Sequence, residues 1–80
     1  MIELRFHQEL YDGFAIDEAV KTYASYASTE LERDGGNYVV KVTATPESLA
    51  SGIDERTLCF ELSNYALGLT IERARGGGTG

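Results

Sequence analysis

Two runs of strand-forming residues, joined by Asp34-Gly35-Gly36-Asn37, constrain this chain more than any other feature. The two glycines permit the positive φ angles that tight hairpin loops demand. Before the loop, residues 28–33 alternate in polarity, and after it residues 38–45 are rich in β-branched and aromatic side chains. We therefore predict an antiparallel hairpin. One face of its second strand carries Tyr38, Val40, Val42 and Ala44.

The residues before the hairpin predict a strand followed by an amphipathic helix. Ile2, Leu4 and Phe6 alternate with polar residues, a period of two that places one row of side chains on a core. A helical period follows from about Phe14 to Ala27, and Asp12 is placed to cap its first turn. The apolar face of this helix is expected to consist of Ile16, Ala19, Val20, Tyr23 and Ala27.

The residues after the hairpin predict a loop, a second helix and a tail. Pro46 ends the third strand because it has no N–H to give the ladder, and residues 47–53 are expected to form a surface loop. Asp54 is a natural cap for a helix from Glu55 to about Arg73. Residues 76–80, four glycines and one threonine, predict a flexible tail.

The order strand, helix, strand, strand, helix predicts a single small α+β domain, a βαββα unit over residues 1–75. A right-handed crossover through the first helix makes the first two strands parallel. The favoured order inserts the third strand between them, giving a three-stranded sheet of split βαβ order with both helices on one face. A sheet with the first strand beside the second stays open as an alternative.

The second predicted helix carries two apolar stripes. The stripe expected to cover the sheet consists of Leu58, Leu62, Tyr65, Ala66 and Leu69. A second set, which we call the outer ridge, projects roughly opposite with the spacing i, i+4, i+7, i+11 and consists of Phe60, Asn64, Leu67 and Ile71. Because contiguous exposed apolar patches mark contact sites, the outer ridge is predicted to bind a partner. The alternatives are that the tail or the 47–53 loop covers it, or that its residues are scattered surface hydrophobes.

The charge of the chain argues against two classes of partner. Its 13 acidic residues outweigh 7 basic ones, a net charge of -6, which opposes the basic surface that nucleic acids and anionic lipids require. No signal peptide and no apolar run of about 20 residues is recognisable, so a cytoplasmic location is expected. The lone Cys59 cannot form an internal disulfide and fits a reducing compartment.

The inventory of reactive side chains predicts no catalytic, cofactor or metal site. His7 is the only histidine and falls on the polar row of the first strand, with no second histidine to share a metal. Cys59 lies beside the core face of the second helix, where a lone thiol usually serves as a small hydrophobe. The chain is therefore expected not to be an enzyme.

Within the second helix, the segment from Glu61 to Leu69 resembles the C-terminal signature of HxsD proteins, Leu-Leu-Asn-Asp-Tyr-x-Leu-Arg-Glu. The matching residues are Leu62, Tyr65 and Leu67. Ser63 and Asn64 are close replacements at its polar positions, whereas the departures are Glu61, Gly68 and Leu69. The resemblance implies an accessory role beside radical-SAM enzymes of the His-Xaa-Ser type, which modify ribosomally made peptides.

Two functions follow as hypotheses. The first is a non-catalytic protein-interaction module, accessory to a radical-SAM maturase, that docks on the enzyme or delivers the precursor peptide. The second is a self-associating structural homodimer that uses the same ridge and has no role in maturation.

Overall fold

A computed structural model of the chain describes residues 1–76, which form three strands and three helices. In chain order these are β1 (Ile2–His7), α1 (Gly13–Thr22), β2 (Ala27–Asp34), β3 (Asn37–Ala44), α2 (Pro46–Ala50) and α3 (Glu55–Gly76). None of the helices in this part of the chain has both the length and the apolar character needed to cross a membrane.

The sheet has the order β1-β3-β2, and both outer strands run antiparallel to β3. β1 and β2 are therefore parallel to each other, as a crossover through α1 requires. The β2–β3 hairpin turns through Gly35 and Gly36, and Gly35 has a positive φ of 61°. This topology confirms the α+β class and the predicted insertion of the third strand between the other two.

The core lies on one face of the sheet. Cross-strand pairs such as Leu4 with Val40 and Ile2 with Val42 align the apolar rows of β1 and β3 on that face. The buried cluster takes residues from all three strands and from both long helices, which confirms that both helices pack on the same face. Its members are Phe6, Ile16, Ala19, Ala27, Val40, Val42, Ala44, Leu58, Cys59, Leu62 and Ala66.

Helix α1 is shorter than predicted, because it ends at Thr22 and not near Ala27. Ala27 instead begins β2, where it pairs with Ala44, and the N–H of Thr45 donates to the carbonyl of Tyr26 at 3.1 Å. Tyr23 follows the last helical residue but still packs against the core. Apolar spacing at Tyr23 and Ala27 is compatible with a helix, so the ladder with β3 decides the boundary.

The predicted 47–53 loop is wrong in part, because residues Pro46–Ala50 form the short helix α2. The Thr45 hydroxyl accepts the N–H of Ser48 at 3.1 Å, and Pro46 occupies the first turn, where its missing N–H costs nothing. Ser48 is buried and donates its hydroxyl to the Tyr26 carbonyl at 2.7 Å. α2 is thereby tied to the start of β2.

Helix α3 runs to Gly76, three residues beyond the predicted end at Arg73. The predicted tail therefore begins inside the helix at Gly76, and the rest of it lies outside the described residues. Near its C-terminus, α3 is fastened to the start of α1. The N–H of Asp12 donates to the Thr70 hydroxyl at 3.2 Å, and Arg73 donates to the Asp12 carboxylate.

Candidate protein-binding surface

The outer ridge lies on the side of α3 that faces away from the core. Phe60 is 67% exposed, Leu67 41% and Ile71 49%, and Asn64 between them is also exposed. At about 100° per residue, the four side chains fall within a sector of about 60°. The ridge is therefore one continuous surface, as the sequence predicts, and not a scatter of unrelated side chains.

The rotation of α3 about its axis follows from its contacts with the sheet. Leu62 and Ala66 are fully buried and Leu58 nearly so, which turns the opposite side of the helix to solvent. Two other residues of the predicted inner stripe are only partly covered. Leu69 is half-buried, and Tyr65 lies at the helix margin with its ring centroid 6.0 Å from that of Tyr23.

Polar contacts at the first turn of α3 hold it in the same orientation. The Asp54 carboxylate accepts the N–H of Thr57 at 2.8 Å, which caps the helix as predicted and lowers the pKa of Asp54. Glu55 accepts the Met1 ammonium at 2.7 Å and the N–H of Ala44 at 3.0 Å. Both bonds lower the pKa of Glu55, and the bond from the Met1 ammonium has the larger effect. They also connect α3 to β1 and β3.

Two segments of the chain were candidates to cover the outer ridge, the 47–53 segment and the C-terminal tail, and the structure describes the first of them. Phe60, Leu67 and Ile71 keep 41–67% of their surface accessible, so no segment within residues 1–76 covers the outer ridge. The segment over residues 47–53 turns inward instead, since Ser48 is buried and Ile53 packs against the core. The predicted tail cover involves residues outside the described part of the chain.

Gly68 interrupts a run of good helix formers and lies on α3 beside the outer ridge. A glycine inside a helix costs about 1 kcal/mol relative to alanine, so its presence calls for a reason. A Cβ built at Gly68 meets nothing within 4 Å in the described chain. The packing of the protomer therefore does not require a glycine here.

Other large apolar side chains are exposed, but they do not form a comparable row. Leu10 before α1, Leu49 on α2 and Leu31 on β2 lie on separate elements, and Tyr26 and Tyr65 pack around Tyr23. Such isolated surface hydrophobes are common in monomeric proteins. Leu49, 56% exposed, therefore makes a suitable control for substitutions on the ridge.

The face of the sheet without helices is covered by interleaved charges. Arg5 pairs with Glu3 at 3.3 Å and with Asp34 at 3.2 Å, and Lys41 pairs with Glu32 at 3.6 Å. Such exposed pairs contribute little to stability, but their charges make this face well solvated. It offers no apolar contact area comparable to the outer ridge.

The reactive side chains are dispersed in the described part of the chain. His7 is exposed, and its Nδ1 accepts the N–H of Glu9 at 3.4 Å. Cys59 is buried, and desolvation, reinforced by the negative charge of Glu55, raises the pKa of its thiol. No group of three His, Cys, Asp or Glu residues within residues 1–76 is placed to hold a metal ion.

An open groove lies where the end of β1 meets the last turns of α3. The charges that face each other across it, Asp12 and Arg73, are already paired, and the Arg73 guanidinium also stacks 4.3 Å from the ring centroid of Phe14. The groove is lined by Gln8, Glu9, Leu10, Tyr11, Asp12, Thr70, Arg73 and Ala74. His7 is not among the residues that line the groove. The contacts of Arg73 with Asp12 and Phe14 hold α3 against the start of α1, and a ligand would have to break them to bind here.

Comparison with known proteins adds no relative. No protein-family model matches the chain, and no match is found among curated proteins or solved structures.

Proposed function

We propose that this protein is a non-catalytic protein-interaction module whose associations depend on the outer ridge. The observation that carries the proposal is the exposure of Phe60, Leu67 and Ile71 in one row, on the side of α3 opposite fully buried Leu62 and Ala66. A helix on a small domain gains nothing for its own folding by presenting a phenylalanine, a leucine and an isoleucine to water. A contiguous apolar row of this kind is typical of a helix that docks on another protein.

The proposed setting is the maturation of a ribosomally made peptide, beside a radical-SAM enzyme of the His-Xaa-Ser type. Its support is the resemblance of residues 61–69 to the HxsD signature, a segment that lies entirely on α3. Of the matching residues, Leu62 belongs to the core and Leu67 to the outer ridge. The protein would support the maturase or deliver its precursor peptide, and the chemistry would belong to the partner.

The size of the ridge indicates what a partner has to provide. Burying one large apolar side chain contributes about 1.5–3 kcal/mol, so the three together contribute several kcal/mol. Association costs about 4–15 kcal/mol in lost translational and rotational freedom and in ordering. The ridge alone therefore gives marginal affinity, and a stable complex needs further contacts on either side of it.

Co-expression with a radical-SAM enzyme of the His-Xaa-Ser type tests the proposal. We expect the wild-type protein to co-purify with the enzyme and Phe60→Glu or Leu67→Glu to lose it, because a carboxylate on the ridge would have to be desolvated. Leu49→Glu, which places the same charge at another exposed leucine, on α2, should keep the enzyme.

Circular dichroism and thermal unfolding of each variant serve as the folding control. If the ridge variants fold like the wild type and still co-purify with the enzyme, the outer ridge is not the contact surface. If they fail to fold, Phe60 and Leu67 belong to the core and the proposal is wrong.

A second candidate function is a structural homodimer with no role in maturation. The specific observation in its favour is the 4-3-4 spacing of the outer ridge, which is that of a two-stranded coiled coil. Sedimentation of the isolated protein, followed by the same co-purification, separates the two candidates. A homodimer that retains no maturase would support this second function.

A further inference from the structure

The outer ridge has the spacing of a heptad seam, and the seam extends beyond the four predicted residues. With Phe60 and Leu67 at d positions, Asn64 and Ile71 occupy a positions. Thr57 and Ala74 continue the pattern by one layer at each end, still within α3. From Thr57 to Ala74 the seam is about 25 Å long at about 1.5 Å per residue.

We propose that the outer ridge is completed by α3 of a second copy of this chain, in a parallel, in-register, two-stranded coiled coil. The inference rests on the proposed function, because it takes the ridge as the contact surface and names its occupant. A maturase would then bind the assembled dimer, so Phe60→Glu and Leu67→Glu would release it by separating the two copies. Leu62 and Ala66, which pack on the sheet, lie on the side of α3 opposite the ridge, so two ridges placed face to face leave the two sheets on the outside.

The residues of the seam select a parallel pair. An in-register parallel arrangement places Asn64 opposite Asn64, where the two side-chain amides can hydrogen-bond, and an Asn at one a position is a known determinant of register. An antiparallel arrangement pairs a with d, which sets Asn64 against Leu67 or, one register along, against Ala74, and leaves its amide without a partner in either case. Leu67 at d with Ile71 at a is also the combination that favours two strands.

The charges beside the seam fit the same arrangement. Arg56 occupies a g position and Glu61 the e position five residues later, so a parallel pair brings Arg56 of each copy against Glu61 of the other. Neither residue forms an ion pair with another side chain in the described part of the protomer, which leaves both available. An antiparallel pair matches g with g, and the g residues Arg56, Ser63 and Thr70 include no acid.

Reversing these two charges tests the pairing. Sedimentation equilibrium of the full chain, from low micromolar to millimolar concentrations, should show a reversible dimer. Arg56→Glu and Glu61→Arg should each weaken it by about three- to tenfold, because each replaces two attractive contacts with two repulsive ones. An equimolar mixture of the two variants restores both attractions and should form heterodimers about as tight as the wild-type dimer, detectable by native mass spectrometry.

Two results of this experiment would overturn the inference. One is a mixture that associates no more tightly than either variant alone. The other is a dimer weakened by Arg75→Glu but not by Arg56→Glu, because an antiparallel pair can place Glu61 against Arg75 and would show that dependence.

Substitution of Asn64 by Leu gives an independent readout. We expect tighter association with loss of the exclusively dimeric state, and unchanged association would count against the inference.

The outcome also separates this inference from the proposed function. A chain that stays monomeric at millimolar concentration, yet captures the maturase through Phe60 and Leu67, overturns the dimer and leaves the interaction module standing. The opposite result is a dimer that responds to Arg56→Glu and Glu61→Arg as expected but captures no maturase, whether or not the ridge is substituted. That result supports the inference and contradicts the accessory role.

Discussion

The two sides of α3 carry similar side chains but differ in how far those side chains are buried. Leu62 and Leu67 are both leucines in the middle of one helix, yet Leu62 is fully buried among residues of the sheet and α1, whereas Leu67 is 41% exposed. The comparison shows that hydrophobicity alone does not assign a residue to the core. The inner side of α3 stabilises the protomer, and the outer side is available for association.

The largest expected effect sets these two leucines against each other. Leu62→Ala should destabilise the protein by about 2–5 kcal/mol, because it removes buried methyl groups and leaves a cavity. Leu67→Ala should cost less than about 0.5 kcal/mol. Urea unfolding measures both, in a Phe60→Glu background so that association cannot contribute. Equal losses of unfolding free energy in the two variants would show that Leu67 is part of the core and that the two sides of α3 do not differ in function.

Acid should act on the ends of the helices and leave the ridge unaffected. The pKa values of Asp12, Asp54 and Glu55 are lowered by an Arg73 hydrogen bond, the Thr57 N–H and the Met1 ammonium, respectively. Carboxyls with lowered pKa values contribute stability that is present above their unfolded pKa of about 4 and is lost as the pH falls through the folded pKa. The urea midpoint should therefore be constant from pH 7 to about pH 5 and decline below it. A flat profile down to pH 2.5 would contradict these three assignments.

A single substitution at Asp12 isolates the contact between α1 and α3. Asp12→Ala removes the cap on the Phe14 N–H and the acceptor of Arg73, and we expect a loss of about 1 kcal/mol. Asp17, paired with Lys21 at 2.9 Å on the same helix, supplies the matched control, and Asp17→Ala should change stability little. Similar losses in both variants, measured by thermal unfolding, would show that Asp12 acts only as a surface charge.

The smallest effect sharpens the comparison between folding and association. Gly68→Ala should stabilise the monomer by about 0.5–1 kcal/mol, since the added methyl meets nothing in the described protomer. The measurement again requires the Phe60→Glu background, and Ala74→Gly should shift stability in the opposite direction. A loss of stability in Gly68→Ala would reveal a contact at that position within the chain.

The parts of the fold that sequence predicted well depend on local chemistry. The turn at Gly35 and Gly36 and the alternation in β1 and β3 each specify their structure within a few residues. The capping positions of Asp12 and Asp54 are also local, and the hydrogen bonds to Phe14 and Thr57 confirm them. The outer ridge was predicted because helical periodicity relates residues of a single element to one another.

Two of the departures from the predicted fold have different origins. The Thr45-Pro46 pair was a readable signal for the start of α2, since a capping hydroxyl followed by proline is typical of a first turn, and it was missed. The end of α1 was not readable in this way. Tyr23 and Ala27 suit a helix by spacing, and only the pairing of Ala27 with Ala44 makes that segment a strand.

The sequence by itself determined β1, the hairpin, the two long helices and the presence of two apolar stripes on the last helix, because each depends on periodicity or turn chemistry within one segment. Only the tertiary structure decided where α1 stops and how completely each residue of the inner stripe of α3 is buried. Both depend on partners that are distant in the chain: Ala44 for Ala27, and the sheet with α1 for Leu62 and Ala66. Helical periodicity predicts the stripe that faces the sheet, but the surface it packs on decides how far each residue is covered, so Leu62 is fully buried and Leu69 only half-buried.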